Sequence, residues 1–217
     1  MTAEPSHELV WLCGAAVSRT GVSCCGVTMV THGGQSVTAY ATDDRAHAVE
    51  NLQHTLGEGP GVAASSSGAA VLVPDLTDLQ DPNVARWPTF ARDTTDVGIR
   101  AAFAFPLLLG TSSIGAFSLY RTEPGGLTSE GVTQGRVTAD AVALSLAEPG
   151  EPAPREPQHL DPMRVHQAAG MVMVQLDLPI DRALLHMRAT AYAEGKTVDE
   201  LADTILDRSR RLSKEET

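Results

Sequence analysis

The sequence predicts an α+β sandwich with an antiparallel sheet over residues 5–147, followed by a small all-α domain of three helices over residues 161–212. Three observations carry this prediction. Two β-rich hairpins and one further short strand lie between amphipathic helices, a pattern typical of an antiparallel α+β fold. The segment EPGEPAPREP contains four prolines, which favour an extended linker over residues 148–160. Beyond the linker, apolar residues recur at helical spacing in three short stretches.

The helices of the first domain are predicted from apolar residues at helical spacing. They lie over residues 5–18, 43–55, near 84–95 and 129–147. The face predicted for the second helix contains Ala46, Val49, Leu52 and Gln53. The face predicted for the last helix contains Val132, Val137, Ala141 and Leu144. The first and last helices are expected to cover one face of the sheet.

The strands are predicted from apolar and β-branched runs that are bounded by turn residues. They lie over residues 24–31, 35–40, 70–74, 99–109 and 113–121. The glycine-punctuated segment LGEGPGV (56–62) is predicted to be a loop. The connection over residues 75–98 is too long for a plain turn, and long ordered connections are frequently lids or binding segments.

The three C-terminal helices are predicted from their caps as well as from periodicity. Asp161 is a favourable N-cap for the first helix, and Pro162 is a favourable first helical residue. The segment Asp177-Leu178-Pro179 ends that helix. Thr197 and Glu200 have the spacing of a capping box at the start of the third helix. Short amphipathic helices of this kind bury their apolar faces against each other or against a partner.

The charge of the chain is unevenly distributed. The formal net charge is −11; residues 1–160 hold 8 arginines, no lysine and 17 acids, whereas residues 161–217 hold 8 basic and 10 acidic residues. Because an acidic surface repels phosphate backbones, any nucleic acid is expected to bind the C-terminal domain. The sequence contains no apolar run of about 18 residues and no basic and apolar leader, which predicts a cytoplasmic protein without a membrane partner.

The cysteines and histidines follow no metal-binding or disulfide pattern. Cys13, Cys24 and Cys25 are an odd number with an adjacent pair, which does not fit a disulfide framework. They are interpreted as buried small side chains or, alternatively, as redox-sensitive thiols. The seven histidines show no HxxxH spacing and no CxxC occurs, so no metal ligands are predicted.

Five motifs of the first domain resemble those of GAF domains from actinobacterial regulators. They are LGEGPGV, VLVPDL, RWPTF, GIRAAFAFPLLLG and IGAFSLYR, and the resemblance covers about residues 5–147. It implies a GAF-type sandwich that senses a signal through a small molecule bound between the sheet and the long connection. Some GAF domains bind cyclic nucleotides, haem or bilins. Here no cysteine lies in the connection to tether a bilin, and neither His47 nor His54 is obviously placed to ligate haem, so no cofactor is evident and the ligand stays unidentified.

The candidate ligand pocket is made of aromatic residues. They are Tyr40, Trp87, Phe90, Phe103, Phe105 and Phe117. The alternative is that these residues form the aromatic core of the domain. Four charged residues flank the long connection, where they either orient an anionic ligand or belong to the solvated surface. They are Arg86, Arg92, Asp93 and Arg100.

Three motifs of the C-terminal domain resemble the ANTAR domain, an RNA-binding three-helix module. They are QAAGMVM (167–173), ALLHMRATA (183–191) and GKTVDELADTIL (195–206). The resemblance implies a homodimer that binds nascent RNA carrying paired hexanucleotide stem-loops. Binding of this kind prevents a terminator from forming, which is transcription antitermination, and no DNA partner is expected.

The candidate RNA-binding residues are Arg164, Gln167, Arg188 and Lys196. Arg188 matches the family's arginine, and a guanidinium group stacks on unpaired bases as well as pairing with phosphate. The alternative role of Arg188 is an ion pair between the second and third helices. Ala169 stands where the family commonly has lysine, which would remove a phosphate-directed charge from the surface. A basic cluster near the end of the chain either contacts RNA or, as is expected here, belongs to a frayed, solvated terminus; it contains Arg208, Arg210, Arg211 and Lys214.

These features lead to one principal hypothesis and two alternatives. The principal hypothesis is a signal-responsive regulator without enzymatic activity, in which the GAF-like domain controls RNA binding by the ANTAR-like domain. In the first alternative, the C-terminal helices serve dimerisation or protein interaction without RNA. In the second, the first domain is an enzyme similar to GAF-type free methionine sulfoxide reductases, although its cysteines are not placed as a catalytic group beside the pocket.

Overall fold

The computed structural model describes residues 6–30, 36–147 and 162–212. The elements within these ranges are α1 (His7–Thr20), β1 (Cys24–Val30), β2 (Ser36–Ala41), α2 (Asp44–Leu56), α3 (Pro60–Ser67), β3 (Val71–Val73), α4 (Pro82–Arg86), α5 (Pro88–Asp96), β4 (Ala101–Leu109), β5 (Ser112–Arg121), α6 (Ser129–Ala147), α7 (Pro162–Leu176), α8 (Ile180–Ala193) and α9 (Val198–Leu206). The predicted linker over residues 148–160, the Asp161 cap and Lys214 lie outside the described residues. No helix in the described part of the chain is both long and apolar enough to span a membrane.

The strands form one antiparallel sheet in the order β2-β1-β5-β4-β3. The central strand β5 pairs with β1 on one side and β4 on the other, so that Phe117 lies opposite both Val27 and Phe105. This arrangement confirms the predicted α+β sandwich with an antiparallel sheet and flanking helices.

Each face of the sheet carries its own apolar core, because successive strand residues point to opposite faces. Phe103, Phe105 and Phe117 pack in a core that includes residues of α1 and α6. Ala102 and Tyr120 face the second core, which includes residues of α2, α4 and α5. The terminal helices therefore cover one face of the sheet, as predicted, and the helices between β2 and β4 cover the other.

The buried side of α6 differs from the prediction. Val137 and Leu144 were expected on its inner face but are exposed, whereas Gly135, Ala139 and Val142 face the sheet. Small residues are required there because the helix lies close to β4, and a Cβ at Gly135 would overlap the ring of Phe105. Val137 lies five positions, or about 140°, from Val132, so the predicted residues do not share one helix face, and Val132 packs against the core while Val137 does not.

Two stretches of the first domain differ from the prediction: one predicted loop is partly helical, and one predicted helix is divided in two. The LGEGPGV segment is not entirely a loop, since α3 begins at Pro60, and proline is favoured at the first helical position. The helix predicted near residues 84–95 is divided into α4 and α5 at Trp87. Trp87 precedes Pro88, whose ring disfavours helical dihedrals in the residue before it, and Trp87 has φ −127° and ψ 57°.

The helices α7, α8 and α9 pack around a shared apolar core. Its buried residues include Val165, Val172, Met187, Leu201 and Ile205. The predicted capping box is present at the start of α9. The Thr197 hydroxyl accepts a hydrogen bond from the Glu200 amide, and the Glu200 carboxylate accepts one from the Thr197 amide. These three helices are called the three-helix unit below.

The chain does not fray directly after α9, contrary to the expectation from the sequence. Arg208 adopts a left-handed backbone conformation with φ 57°, and its amide donates to the carbonyl of Ile205. Four residues later, Leu212 is buried in the core of the three-helix unit. The segment 208–212 is therefore held against the helices because an apolar anchor follows the turn.

Candidate functional site

The carboxyl group of Glu50, on α2, lies in the interior of the first domain, where only 2% of the residue is exposed. It accepts hydrogen bonds from the Thr28 hydroxyl of β1 (2.7 Å) and the Tyr120 hydroxyl of β5 (2.7 Å). Gly26 makes room for this group, since a Cβ at that position would overlap it. Burial raises the pKa of the Glu50 carboxyl and the pKa of Tyr120, because desolvation disfavours the charged form.

Gln53, one turn further along α2, extends this buried polar cluster. Its Nε2 atom donates to the Tyr120 hydroxyl (3.0 Å), and its Oε1 atom accepts from the Gly61 amide (2.6 Å). The side chain therefore joins α2 to both β5 and the first turn of α3. Since buried polar groups are costly unless they are paired, the cluster constrains the relative positions of these three elements.

A cavity of about 20 Å³ lies beside the cluster. Its walls are formed by Thr28, Val30, Ser36, Glu50, Gln53, His54, Gly61, Val62, Ser65 and Ala116. This volume holds about one water molecule, so a larger ligand requires the walls to move apart. The carboxyl, amide and hydroxyl groups on its walls can both donate and accept hydrogen bonds, which suits a small polar ligand.

His54, near the end of α2, lies on the wall of the cavity and also contacts the three-helix unit. Its Nε2 atom is 2.9 Å from Oδ2 of Asp199, in the first turn of α9. One side chain thus connects the candidate ligand cavity with the C-terminal helices.

A second contact between the two parts of the chain involves Tyr192 of α8. Its hydroxyl donates to Oδ2 of Asp93 on α5 (2.6 Å) and accepts from Nη2 of Arg92 (2.7 Å). Arg92 and Asp93 also pair with each other, with Nε 2.9 Å from Oδ1. These two charged residues, which flank the long connection in the sequence, therefore bind the three-helix unit in this structure.

Arg188 of α8 lies against the C-terminal end of α2. A Cβ at Gly57, the C-cap of α2, would lie only 2.8 Å from Nη1 of Arg188. The partial negative charge at a helix C-terminus favours a guanidinium group in this position. Burial lowers the pKa of Arg188, because the charged form loses hydration. The ion pairs found among the described residues do not include Arg188, so this arrangement does not use it to join α8 to α9 by charge.

The aromatic residues that the sequence proposes as a ligand pocket are divided between the two faces of the sheet. Phe103, Phe105 and Phe117 belong to the core beneath α1 and α6, and Tyr40 packs against that core. The opposite core contains Trp87 and Phe90, whose rings meet edge to face with centroids 6.4 Å apart. The structure does not bring the six residues around one space, and the walls of the 20 Å³ cavity contain none of them.

The candidate RNA-binding residues do not form one open surface in this arrangement. Arg164 Nε donates to Oδ1 of Asp203 (2.7 Å), and Lys196 Nζ donates to Oε2 of Glu194 (2.9 Å). The side chain of Gln167 lies in a groove between α7 and the end of α9. The fourth candidate, Arg188, faces the first domain. Their role in RNA binding stays a prediction.

Ala169 is fully buried in the core of the three-helix unit. The interpretation from sequence was that this alanine removes a charge from the surface. Because the side chain lies in the core, position 169 does not belong to the exposed surface of this unit.

The thiols of Cys13, Cys24 and Cys25 are reduced and buried. Burial, with a contribution from Asp43, raises the pKa of Cys24 to about 12. Hydrogen bonding with Cys13 and burial raise the pKa of Cys25. A reactive thiol needs a lowered pKa and exposure, so these side chains fit the interpretation as core residues. In the parts of the chain that the structure describes, no group of histidine, cysteine and acidic side chains is arranged to hold a metal ion.

The residues that build the cavity are only partly visible in the sequence. Gln53 falls within the apolar stripe predicted for α2, and a polar residue on such a stripe indicates a buried polar contact. Glu50 precedes it by three residues and therefore shares its helix face. Thr28 and Tyr120 lie on strands that pair with each other only in the folded sheet, so no local pattern identifies them.

Comparison with known proteins places the first part of the chain in a family. The family model described as GAF domain matches residues 3–147. The chain is also similar to the solved GAF domain region of a protein from Geobacter sulfurreducens PCA. The identity is 13% and the TM-score is 0.52, over 64% of this chain and 89% of that chain.

The chain is also similar to two further solved structures. A domain of a two-component sensor histidine kinase protein from Sinorhizobium meliloti 1021 is 13% identical with a TM-score of 0.50, over 63% of this chain and 85% of that chain. A type II free methionine-R-sulfoxide reductase from Thermoplasma acidophilum is 15% identical with a TM-score of 0.49, over 64% and 90%. Likeness at this level concerns the fold alone. Among curated proteins, no sequence matches the chain.

Proposed function

This chain belongs to the GAF domain family, and on that basis we propose that it is a signal-responsive regulator whose GAF domain controls RNA binding by the three-helix unit. The three-helix unit acts as an ANTAR-like domain, and the regulator works by transcription antitermination on nascent RNA with paired stem-loops. In this proposal the chain is a sensor and not an enzyme, and the burial of its thiols argues against a cysteine-dependent reductase. The observation that carries the proposal is the contact of the GAF domain with α8 and α9, in which Arg188 is covered.

Coupling between signal and RNA is proposed to run along α2. Its inner face carries Glu50 and Gln53 at the cavity, and its last turn carries His54 against Asp199. A small polar molecule that widens the cavity displaces this turn and with it the support for Arg188. A ligand shifts such an equilibrium only by its unequal affinity for the two states, so the proposed ligand binds more tightly when the GAF domain and the three-helix unit are apart.

RNA binding by the full chain and by a release variant tests this proposal. His54→Ala/Tyr192→Phe removes the two hydrogen-bonded contacts between the domains and leaves the third contact residue, Arg188, unchanged. We expect the variant to bind RNA with two paired six-nucleotide loops more tightly than the unmodified chain in an electrophoretic shift assay at low salt. The matched control is His47→Ala/Tyr40→Phe, which removes the same chemical groups within the GAF domain.

The outcomes of this assay separate the two parts of the proposal. No shift by the dimeric chain or by the release variant at low salt rejects RNA binding. Equal affinity of the release variant and the unmodified chain rejects control by the GAF domain while leaving RNA binding intact.

Exposed apolar side chains support the proposed homodimer. Trp11 on α1 and Leu144 on α6 are 69% and 65% exposed, and these two helices pack side by side on the outer face of the GAF domain. Large exposed apolar groups commonly mark an interaction surface, and a second copy of the chain would present the same surface in return. Sedimentation of Trp11→Glu is expected to show a larger monomer fraction than the unmodified chain.

A second candidate function is dimerisation or protein interaction by the three-helix unit without RNA. Acidic side chains already engage Arg164 and Lys196, while Val174 and Leu185 are exposed apolar residues of the same unit. The double variant Arg188→Gln/Lys196→Gln discriminates between the two candidate functions. The RNA-binding function predicts a salt-sensitive loss of RNA affinity with the dimer intact, and the second candidate predicts no RNA affinity to lose.

A further inference from the structure

The residues that follow α9 are folded back against α7. The Arg210 amide donates to the carbonyl of Thr204 (3.1 Å), which closes a turn after the helix. The Leu212 amide donates to Oε1 of Gln175 on α7 (3.3 Å), and the Leu212 side chain is buried in the helical core. Arg208 and Arg210 in this turn and Arg211 just after it are therefore held at the surface of a folded unit.

A groove of about 740 Å³ separates this segment from α7. Its floor includes the apolar side chains of Met171 and Val174, and Val174 is 76% exposed. The rim carries Arg208, Arg210 and Arg211. Arg210 also pairs with Glu194, whereas Arg208 and Arg211 are exposed.

An apolar floor beside guanidinium groups is suited to unpaired RNA. Unpaired bases stack on guanidinium planes and pack against apolar side chains, and arginines neutralise the phosphates on either side. Gln167, also in the groove, offers both a donor and an acceptor for a base edge. Three basic residues within four positions are a marked local concentration in a chain with a net charge of −11, so the groove favours an anionic partner.

We propose that this groove is an RNA-contact site that holds an unpaired loop base and its neighbouring phosphates through Val174, Arg208 and Arg211. The inference rests on the proposed RNA-binding function, and it adds to the surface around Arg188 a second, distinct contact surface. Arg188 faces the GAF domain, whereas the residues of the groove all belong to the three-helix unit and the segment after it. The groove is therefore open while the domains are in contact, and release of the GAF domain adds the surface around Arg188 to it, which accounts for tighter RNA binding after release.

Fluorescence anisotropy with a labelled RNA hairpin tests the site in the full chain. The hairpin carries a six-nucleotide loop, and a fully paired duplex of the same length serves as the second probe. The groove variant is Arg208→Gln/Arg211→Gln, and the control variant is Arg136→Gln/Arg182→Gln, which removes two exposed arginines away from the groove. Val174→Glu places a carboxylate on the exposed floor without disturbing the core.

We expect the groove variant to bind the hairpin roughly tenfold or more weakly than the control, because it lacks two charge-assisted contacts. The slope of log affinity against log salt should fall by about 1.4, since each single-strand phosphate contact contributes about 0.7. Val174→Glu should also weaken hairpin binding. Duplex binding should change little in either variant.

Three results would overturn the inference, and they are distinguishable. If the groove variant binds the hairpin as well as the control does, the groove is not the site although RNA binding itself stands. If the unmodified chain binds neither RNA, the proposed function fails and the groove inference falls with it. If the groove variant changes the monomer–dimer equilibrium in sedimentation without RNA, the groove is a protein interface.

Discussion

The imidazole of His54 lies 2.9 Å from the carboxylate of Asp199, although 145 positions separate the two residues in the chain. His54 borders the cavity of the GAF domain, and Asp199 stands in the first turn of α9. A movement of the cavity wall therefore has a direct path to the three-helix unit. In the proposed function, α2 is the element that couples the GAF domain to the C-terminal helices.

Coupling between His54 and Asp199 is measurable by a double-mutant cycle. His54→Ala, Asp199→Ala and the double variant should give an interaction free energy of about 0.5–1 kcal/mol, because the pair is partly shielded from water. The free energies of unfolding would come from urea titration with two spectroscopic probes. In the control cycle, Asp207→Ala replaces Asp199→Ala at the other end of α9, and the two effects should add. An additive result for the first cycle as well would show that the contact is absent in solution.

Replacement of Gly57 by alanine should loosen the contact between the domains. Gly57 and Gly68 both cap helices in the left-handed region, with φ 68° and 66°, but only Gly57 is close to Arg188. Alanine costs about 1 kcal/mol of backbone strain at either position. Gly57→Ala should in addition displace Arg188 and raise the hydrogen-exchange rate of α8 amides, whereas Gly68→Ala should not. Equal exchange of α8 in the two variants would argue against the contact.

The buried carboxyl group of Glu50 should make stability depend on pH. Its pKa in the folded chain is raised above the ordinary value of 4.5 by burial. Below pH 4.5, Glu50 is protonated in both the folded and the unfolded chain. As the pH rises from there through the folded pKa, the unfolded chain loses this proton first. The free energy of unfolding therefore decreases. Glu50→Gln lacks this ionisation, so its stability relative to the unmodified chain should improve between pH 4 and pH 8. Urea titrations at several pH values measure this difference, and parallel curves would contradict the assignment.

The thiols should be unreactive in the native protein. With a pKa of about 12, Cys24 has roughly three powers of ten less thiolate than a free cysteine of pKa about 8.5. A colorimetric thiol reagent at pH 8 should label the folded chain slowly and label all three cysteines after unfolding in urea. Rapid labelling of one thiol in the folded chain would instead support a redox or reductase role. Replacement of all three cysteines by alanine or serine is expected to leave RNA binding unchanged.

Most helices and strands could be predicted because their signals lie within a few residues of each other. The capping box of Thr197 and Glu200 is a contact across one helical turn, and the hairpin strands are adjacent in sequence. The long connection is divided at Trp87 because Pro88 follows it. The sequence nevertheless predicted one continuous helix there, because apolar residues have helical spacing on both sides of Trp87. On α6 the predicted residues Val132 and Val137 are out of phase with each other, whereas the close fit of Gly135 against Phe105 depends on the distance between helix and sheet.

The candidate sites depend on contacts that no local pattern contains. The sequence was sufficient for the fold of the first domain and for three C-terminal helices, because periodicity and capping act over a few residues. It could not show that Glu50 is buried beside Tyr120, that Arg188 is covered by the end of α2, or that Leu212 anchors the arginines before it. Each of these relationships joins distant residues, and burial, hydration and charge at a side chain are set by whichever surfaces the folded chain brings around it.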